Sequence, residues 1–159
     1  VTVHGDIGCY GLAAISPYDS MDTIICMGAS IGMNHGMDKV IGKDKHKSVA
    51  VIGDSTFLHS GMNSLVNIVS NGGHAVTIIL DNRITAMTGH QPNPTTGRTI
   101  NGGSAPQVSI PDICRALGVK NVFEVNAYKR KEFEERLDAE LRREEASVIV
   151  VNGKCVMAK

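Results

Sequence analysis

Tryptophan is absent and tyrosine and phenylalanine occur three times each. The chain therefore lacks the aromatic platforms on which nucleic-acid binders stack bases. It also lacks excess charge: sixteen Lys+Arg balance sixteen Asp+Glu, so no basic footprint for a phosphate backbone exists. Nucleic acid is set aside as a partner. No apolar run approaches the ~20 residues that span a bilayer, and no basic, apolar, small-residue leader opens the chain. No membrane role is expected, and the chain reads as soluble and cytoplasmic. The four cysteines, Cys9, Cys26, Cys114 and Cys155, are far apart with no C-x-x-C pair, so spacing supports neither a zinc site nor a disulfide framework. Reduced thiols are expected.

What is present is ordinary globular material. Of 159 residues, 42% are hydrophobic and 20% charged, which excludes disorder, collagen and a coiled coil and suits a single domain over 1–159. The sequence begins at Val1 on an apparent strand, Val1-Thr2-Val3-His4, and is expected to be a piece of a longer subunit. Apolar, β-branched runs recur at Thr23–Cys26, Val49–Ile52, Ala75–Leu80, Val122–Val125 and Ser147–Val151. Several are continuous rather than alternating, as in strands covered on both faces. Between them the pattern predicts helices over about Ser30–Ile41, Ser60–Ser70, Ile110–Leu117 and Lys129–Glu145. Ser109 with Asp112 three residues on resembles a capping box, and Pro111 suits a first turn. Phe133, Leu137 and Leu141 give the last helix its apolar stripe. The expected fold is α/β: a three-layer, doubly wound, mainly parallel sheet with helices on both faces. Ligands then bind at the carboxyl ends of the strands. One stretch, Thr85–Ser104, has four glycines, two prolines and no periodicity, as a functional loop does.

The run Val49–Ile52 ends in Gly53-Asp54-Ser55, and Ala75–Leu80 ends in Asp81-Asn82. An acid and an amide at neighbouring strand ends would aim oxygens at one point, a candidate site for a hard cation such as magnesium, which leaves coordination positions to phosphate oxygens. A backbone carbonyl just after Asn82, at Ile84, completes the proposed set. Gly53 is expected to permit a tight turn, and the N–H groups opening the next helix to receive phosphate.

Gly-Asp-Ser with Asn one helix and one strand later is close to the Gly-Asp-Gly…Asn signature of thiamine-diphosphate enzymes. The segments Gly53–Gly61, Leu80–Pro92, Gly5–Tyr10 and Cys26–Gly32, in that company, resemble the thiamine-diphosphate domain of the indolepyruvate:ferredoxin oxidoreductase alpha subunit, within the 2-oxoacid:ferredoxin oxidoreductase family. The resemblance covers essentially the whole chain. It implies that Asp54, Asn82 and the Ile84 carbonyl ligate Mg2+, that Ser55 and Thr85 lie near the diphosphate beside Gly53, and that Gly28, Ala29, Ser30 and Ile31 lie against the thiamine. Either Ile31 or Met27 would be the apolar wedge that bends the cofactor. His59, as a candidate catalytic group, and Thr88 and Gln91 would sit near the mouth. The activity implied is oxidative decarboxylation of 2-oxo acids, arylpyruvates such as indolepyruvate, to acyl-coenzyme A with electrons passing to ferredoxin. The pyrimidine-binding domain that completes a thiamine site and the ferredoxin-like domain match nothing here. These, a second subunit, ferredoxin and coenzyme A are the implied partners, in an oligomer. Cys9 and Cys155 resemble positions that bind a proximal iron–sulfur cluster in related enzymes, but two ligands cannot hold one; clusters are expected elsewhere in the complete enzyme.

The same residues also bear on other functions. A Gly-Asp-Ser esterase with Ser55 as nucleophile needs its motif near the start and a late Asp-x-x-His; here the last histidine is His90 and no Asp-x-x-His occurs. Another thiamine-diphosphate oxidoreductase or decarboxylase subunit, or a non-catalytic assembly module of the same fold, stays open as an alternative. His35, His46 and His74 are expected at the solvated surface, and Cys26 and Cys114 in the core.

Overall fold

A computed structural model describes residues 1–42 and 47–157. Six strands form one sheet: β1 (Thr2–Gly5), β2 (Thr23–Ile24), β3 (Ser48–Gly53), β4 (Val76–Asp81), β5 (Asn121–Asn126) and β6 (Ser147–Asn152), in the order β2-β1-β3-β4-β6-β5. Every pairing is parallel. The helices are α1 (Ala29–Ile41), α2 (Asp54–Thr56), α3 (Met62–Ser70), α4 (Ile110–Ala116) and α5 (Arg130–Glu140). A π-helical turn, Phe57–Gly61, runs α2 into α3 without a break, and a 3-10 helix spans Cys9–Ala14.

The pleat of the sheet divides the apolar residues into two layers. Ala50, Ile52, Ile79, Val148 and Val150 face Ile31 of α1, Leu65 and Ile68 of α3, and Ile110 and Cys114 of α4. Val49, Val76, Ile78, Val125 and Ile149 face the other way, onto Phe133, Leu137 and Leu141. The expected three layers are thus present but unequal, with three helices over one face and α5 over the other.

Element ends follow local chemistry. At α4 the Ser109 side chain accepts from Asp112 N, with a proline in the first turn, as the sequence signals. The last helix stops at Glu140, five residues short of expectation. There the backbone tightens to three-residue spacing, Arg142 N to Ala139 O and Arg143 N to Glu140 O, while Arg143 folds back onto the fully buried Glu140 carboxylate. The second helix starts earlier than expected, at Asp54, directly off β3. β2 is two residues long, so Ile25 and Cys26 fall outside it. From Asn82 to Ser109 there is no helix or strand, only the isolated bridges Thr85–Gln91 and Arg98–Ser104.

Burial overturns two smaller expectations. His35 is inside, 7% exposed, against Gly73, and Cys26 is exposed. Cys114 is in the core and His74 is part-exposed beside Asp38. His46 lies outside the described residues.

Candidate functional site

The carboxyl ends of β3 and β4 open into a cleft of about 390 Å³. Asp54, Ser55 and Thr56 reach it from the first turn of α2; Leu80, Asn82, Ile84 and Thr85 reach it from β4 and the turn beyond; Ile7 to Tyr10 and Met27 close it from the β1 and β2 side. The proposed oxygen donors therefore share one wall. Asn82 Oδ1 accepts from Ile84 N at 3.1 Å, an Asx turn that fixes the amide relative to the backbone. Thr85 Oγ1 donates to Ser55 Oγ at 2.9 Å, joining the two strand ends.

Asp54 is 3% exposed, and its Oδ1 accepts from Ser55 N at 2.6 Å. A second buried acid, Asp81, stands close by and accepts from Arg83 N at 3.1 Å. Burial, then the Asp54 charge, pushes the Asp81 carboxyl up to about 6. Withdrawal from water and the neighbouring Asp54 charge disfavour the ionised form of Asp81, a strain that a cation beside it relieves. Tyr10 contributes from the β1 side: Gly53 N donates to its hydroxyl at 3.0 Å, and the hydroxyl donates to Ile7 O at 3.3 Å. Burial drives its phenol pKa upward, so it works as a neutral hydrogen-bonding group. Asp6, fully buried, accepts from Ile7 N, Gly28 N and Ser30 N.

Those contacts place the sequence-selected residues unevenly. Gly53, Asp54, Ser55, Asn82, Ile84, Thr85 and Thr88 line the cleft. Gly28, Ala29, Ser30 and Ile31 do not: the Gly28 and Ser30 amides are committed to Asp6, the Ala29 amide to Cys26 O, and Ile31 is fully buried in the core. Of the two wedge candidates, Met27 lines the cleft and is 49% exposed. His59 sits exposed on the π-helical turn, and Gln91 is exposed and bonded to Thr88. Gly53 has φ −81, open to any residue, so its turn does not require glycine; a Cβ there would press on the Tyr10 ring at 3.3 Å. Gly28 does need its freedom, with φ +86 and the Ser60 side chain where a Cβ would stand. Cys9 and Cys155 line the same cleft. They also line an adjoining hollow of about 470 Å³ that holds Leu12, Ile24 and His90.

Sequence reasoning passed over Asp6, Tyr10, Asp81 and Thr95. Asp6 and Tyr10 stand in the quoted Gly5–Tyr10 segment without a role. Thr95 lies in the aperiodic loop, where no pattern separates a stitching residue from a spacer.

The donor chemistry fits a magnesium–diphosphate group. A carboxylate, an amide oxygen and a backbone carbonyl are all hard ligands, and the Ser55 and Thr85 hydroxyls can donate to phosphate. Among the described residues no three His, Cys, Asp or Glu side chains gather, so the set depends on the amide and carbonyl.

The chain is similar to several known proteins. The Indolepyruvate oxidoreductase subunit IorA of Thermococcus kodakarensis is 39% identical over 97% of this chain and 25% of its own length. That of Archaeoglobus fulgidus is 41% identical over 96% of this chain and 24% of its own. The chain spans about a quarter of the curated relatives it matches. Among solved structures, a 2-oxoglutarate:ferredoxin oxidoreductase from Magnetococcus marinus superposes with a TM-score of 0.85, 19% identity, 99% of this chain and 55% of that one; at that identity the likeness concerns the fold. The profile for the thiamine pyrophosphate enzyme C-terminal TPP-binding domain matches residues 6–151, nearly the whole chain, and this protein belongs to that family.

Proposed function

We propose that this chain binds thiamine diphosphate through Mg2+ as the cofactor domain of a 2-oxoacid:ferredoxin oxidoreductase acting on arylpyruvates such as indolepyruvate. The observation that carries the reading is the meeting of Asp54, Asn82 and Ile84 in one cleft at adjacent strand ends. Mg2+ is assigned to the Asp54 carboxylate, the Asn82 side-chain oxygen and the Ile84 carbonyl. Ser55 and Thr85 are assigned to the diphosphate and Met27 to the apolar support of the cofactor. When bound, thiamine diphosphate supplies the electron sink for decarboxylating a 2-oxo acid. The protein's share is to anchor the diphosphate, hold donors still and exclude water.

The substrate assignment rests on the relatives' name. The overall reaction, acyl-coenzyme A formation with electrons to ferredoxin, also needs groups this chain does not carry. A pyrimidine-binding domain, a ferredoxin-like domain and a second subunit are proposed to supply them, iron–sulfur clusters included. Leu12, Met27, Met87, Val156 and Met157 are exposed apolar residues on the rims of the cleft and its adjoining hollow, and such a rim suits a covering partner. No helix among the described residues is long and apolar enough to cross a membrane; a cytoplasmic setting is proposed from the four free thiols.

Turnover of indolepyruvate against pyruvate and 2-oxoglutarate, with coenzyme A and ferredoxin, tests the assignment in the full-length protein with its partner subunit. Highest kcat/KM on indolepyruvate is the expected result. Comparable or higher turnover of an aliphatic 2-oxo acid contradicts the substrate class.

A further inference from the structure

The proposed cation donors come from two strand ends that share no backbone: Asp54 follows β3, and Asn82 and Ile84 follow β4. One short segment of the aperiodic loop touches both. Thr95, 1% exposed, places Oγ1 3.3 Å from Asp54 Oδ2. Its neighbour Thr96 donates from Oγ1 to Arg83 O at 2.8 Å, the carbonyl between Asn82 and Ile84. The segment is itself held rigidly. Thr95 N donates to Asn93 Oδ1 at 2.9 Å, Asn93 N to Thr96 Oγ1 at 2.9 Å, and Gln107 Nε2 to Thr95 O at 2.7 Å. Thr95 Oγ1 also lies 2.7 Å from Asn93 Oδ1, so its one proton chooses between that amide and Asp54.

We propose that Thr95 and Thr96 form a staple that fixes the distance between Asp54 and the Asn82–Ile84 turn, and that this fixed distance selects Mg2+ over Ca2+. The inference rests on the cation reading of the cleft and deepens it. Mg2+ demands near-octahedral oxygens at about 2.0–2.1 Å, whereas Ca2+ accepts about 2.3–2.6 Å and irregular geometry. A pair of donor groups held rigidly apart suits the first ion; a pair free to spread suits the second. Thr95 and Thr96 are positioning residues in this account, acting through Asp54 and the Arg83 carbonyl.

The test compares Mg2+ and Ca2+ affinities by calorimetry, with thiamine diphosphate saturating, in the full-length protein. Thr95→Val and Thr96→Val remove a hydroxyl at nearly constant volume; Thr95→Ser and Thr96→Ser keep it. Each valine variant is expected to bind Mg2+ about ten-fold more weakly, in the range outer-shell partners command, with Ca2+ affinity nearly unchanged; the serine variants keep the parent ratio. A loss of global stability alone would weaken both ions together. The proposal is overturned if both valine variants keep the parent Mg2+:Ca2+ ratio while Asp54→Ala loses Mg2+. If Asp54→Ala binds Mg2+ as the parent does, the cofactor reading and the staple fall together. Should Thr95→Val lose its folded circular dichroism, Thr96→Ala, at a part-exposed position, decides by the same ratio.

Discussion

Replacing Tyr10 by Phe removes one oxygen and leaves the ring that packs against Gly8 and Gly53. That oxygen accepts from Gly53 N at 3.0 Å and donates to Ile7 O at 3.3 Å. Gly53 N then loses its partner at the mouth of β3, where a buried donor left without one costs about 1–3 kcal/mol. The position borders the cleft, so water partly replaces the hydroxyl and the lower half of that range, about 1–2 kcal/mol, applies. For a chain of this length each kcal/mol moves the unfolding midpoint by about 2–4 °C, giving a fall of roughly 2–8 °C. Scanning calorimetry at pH 7 with chelator present measures it, and an unchanged urea m-value would confirm that the unfolded state is not the cause. A midpoint within about 1 °C of the parent would refute the claim that Tyr10 ties the β1 loop to the start of α2.

Four further outcomes follow from the same structure. Burial pushes the Cys114 thiol up to about 12, so a thiol reagent at pH 8 should modify the exposed Cys9 and Cys26 quickly and Cys114 only on unfolding, as peptide mass mapping over time will show. Gly28→Ala puts a Cβ at φ +86 against the Ser60 side chain and should cost about 1–3 kcal/mol in denaturant titration. Glu140 is fully buried between Arg136 and Arg143, both more than a third exposed; Glu140→Gln should therefore cost only about 1–2 kcal/mol, below the loss for a wholly buried pair. The Asp81 carboxyl, raised to about 6 from 3.8, holds its proton more tightly folded than unfolded. Metal-free stability should thus fall as pH rises from about 4 to 6, and Asp81→Asn should flatten that slope in a pH series of unfolding midpoints.

The sheet was legible because its strands are runs of β-branched residues buried on both faces, and the Asp54 and Asn82 pair because strand ends in such sheets face one side. The early start of the second helix was not legible, since Gly-Asp-Ser reads as a turn and only the Tyr10 and Ser55 contacts show how helix begins at Asp54. His35 carries no pattern that tells a buried imidazole from a solvated one. The over-extended final helix failed for a related reason: Arg142, Arg143, Glu144 and Glu145 are good helix formers, and it is the buried Glu140, gripped from both sides by arginines, that coincides with the end. The hold of Asp6 on the Gly28 and Ser30 amides was not legible, because the partners lie 22 and 24 residues apart in sequence and no local pattern contains them. Thr95 escaped for the same reason, 41 residues from Asp54.

The central claim is that Asp54 anchors thiamine diphosphate through a divalent cation. Calorimetric titration of thiamine diphosphate into the full-length protein, with Mg2+ and with chelator, for the parent and Asp54→Ala, tests it most directly. The expected result is binding by the parent that requires Mg2+ and is lost in Asp54→Ala. Equal binding by the two proteins, or binding by the parent that is indifferent to Mg2+, would contradict it.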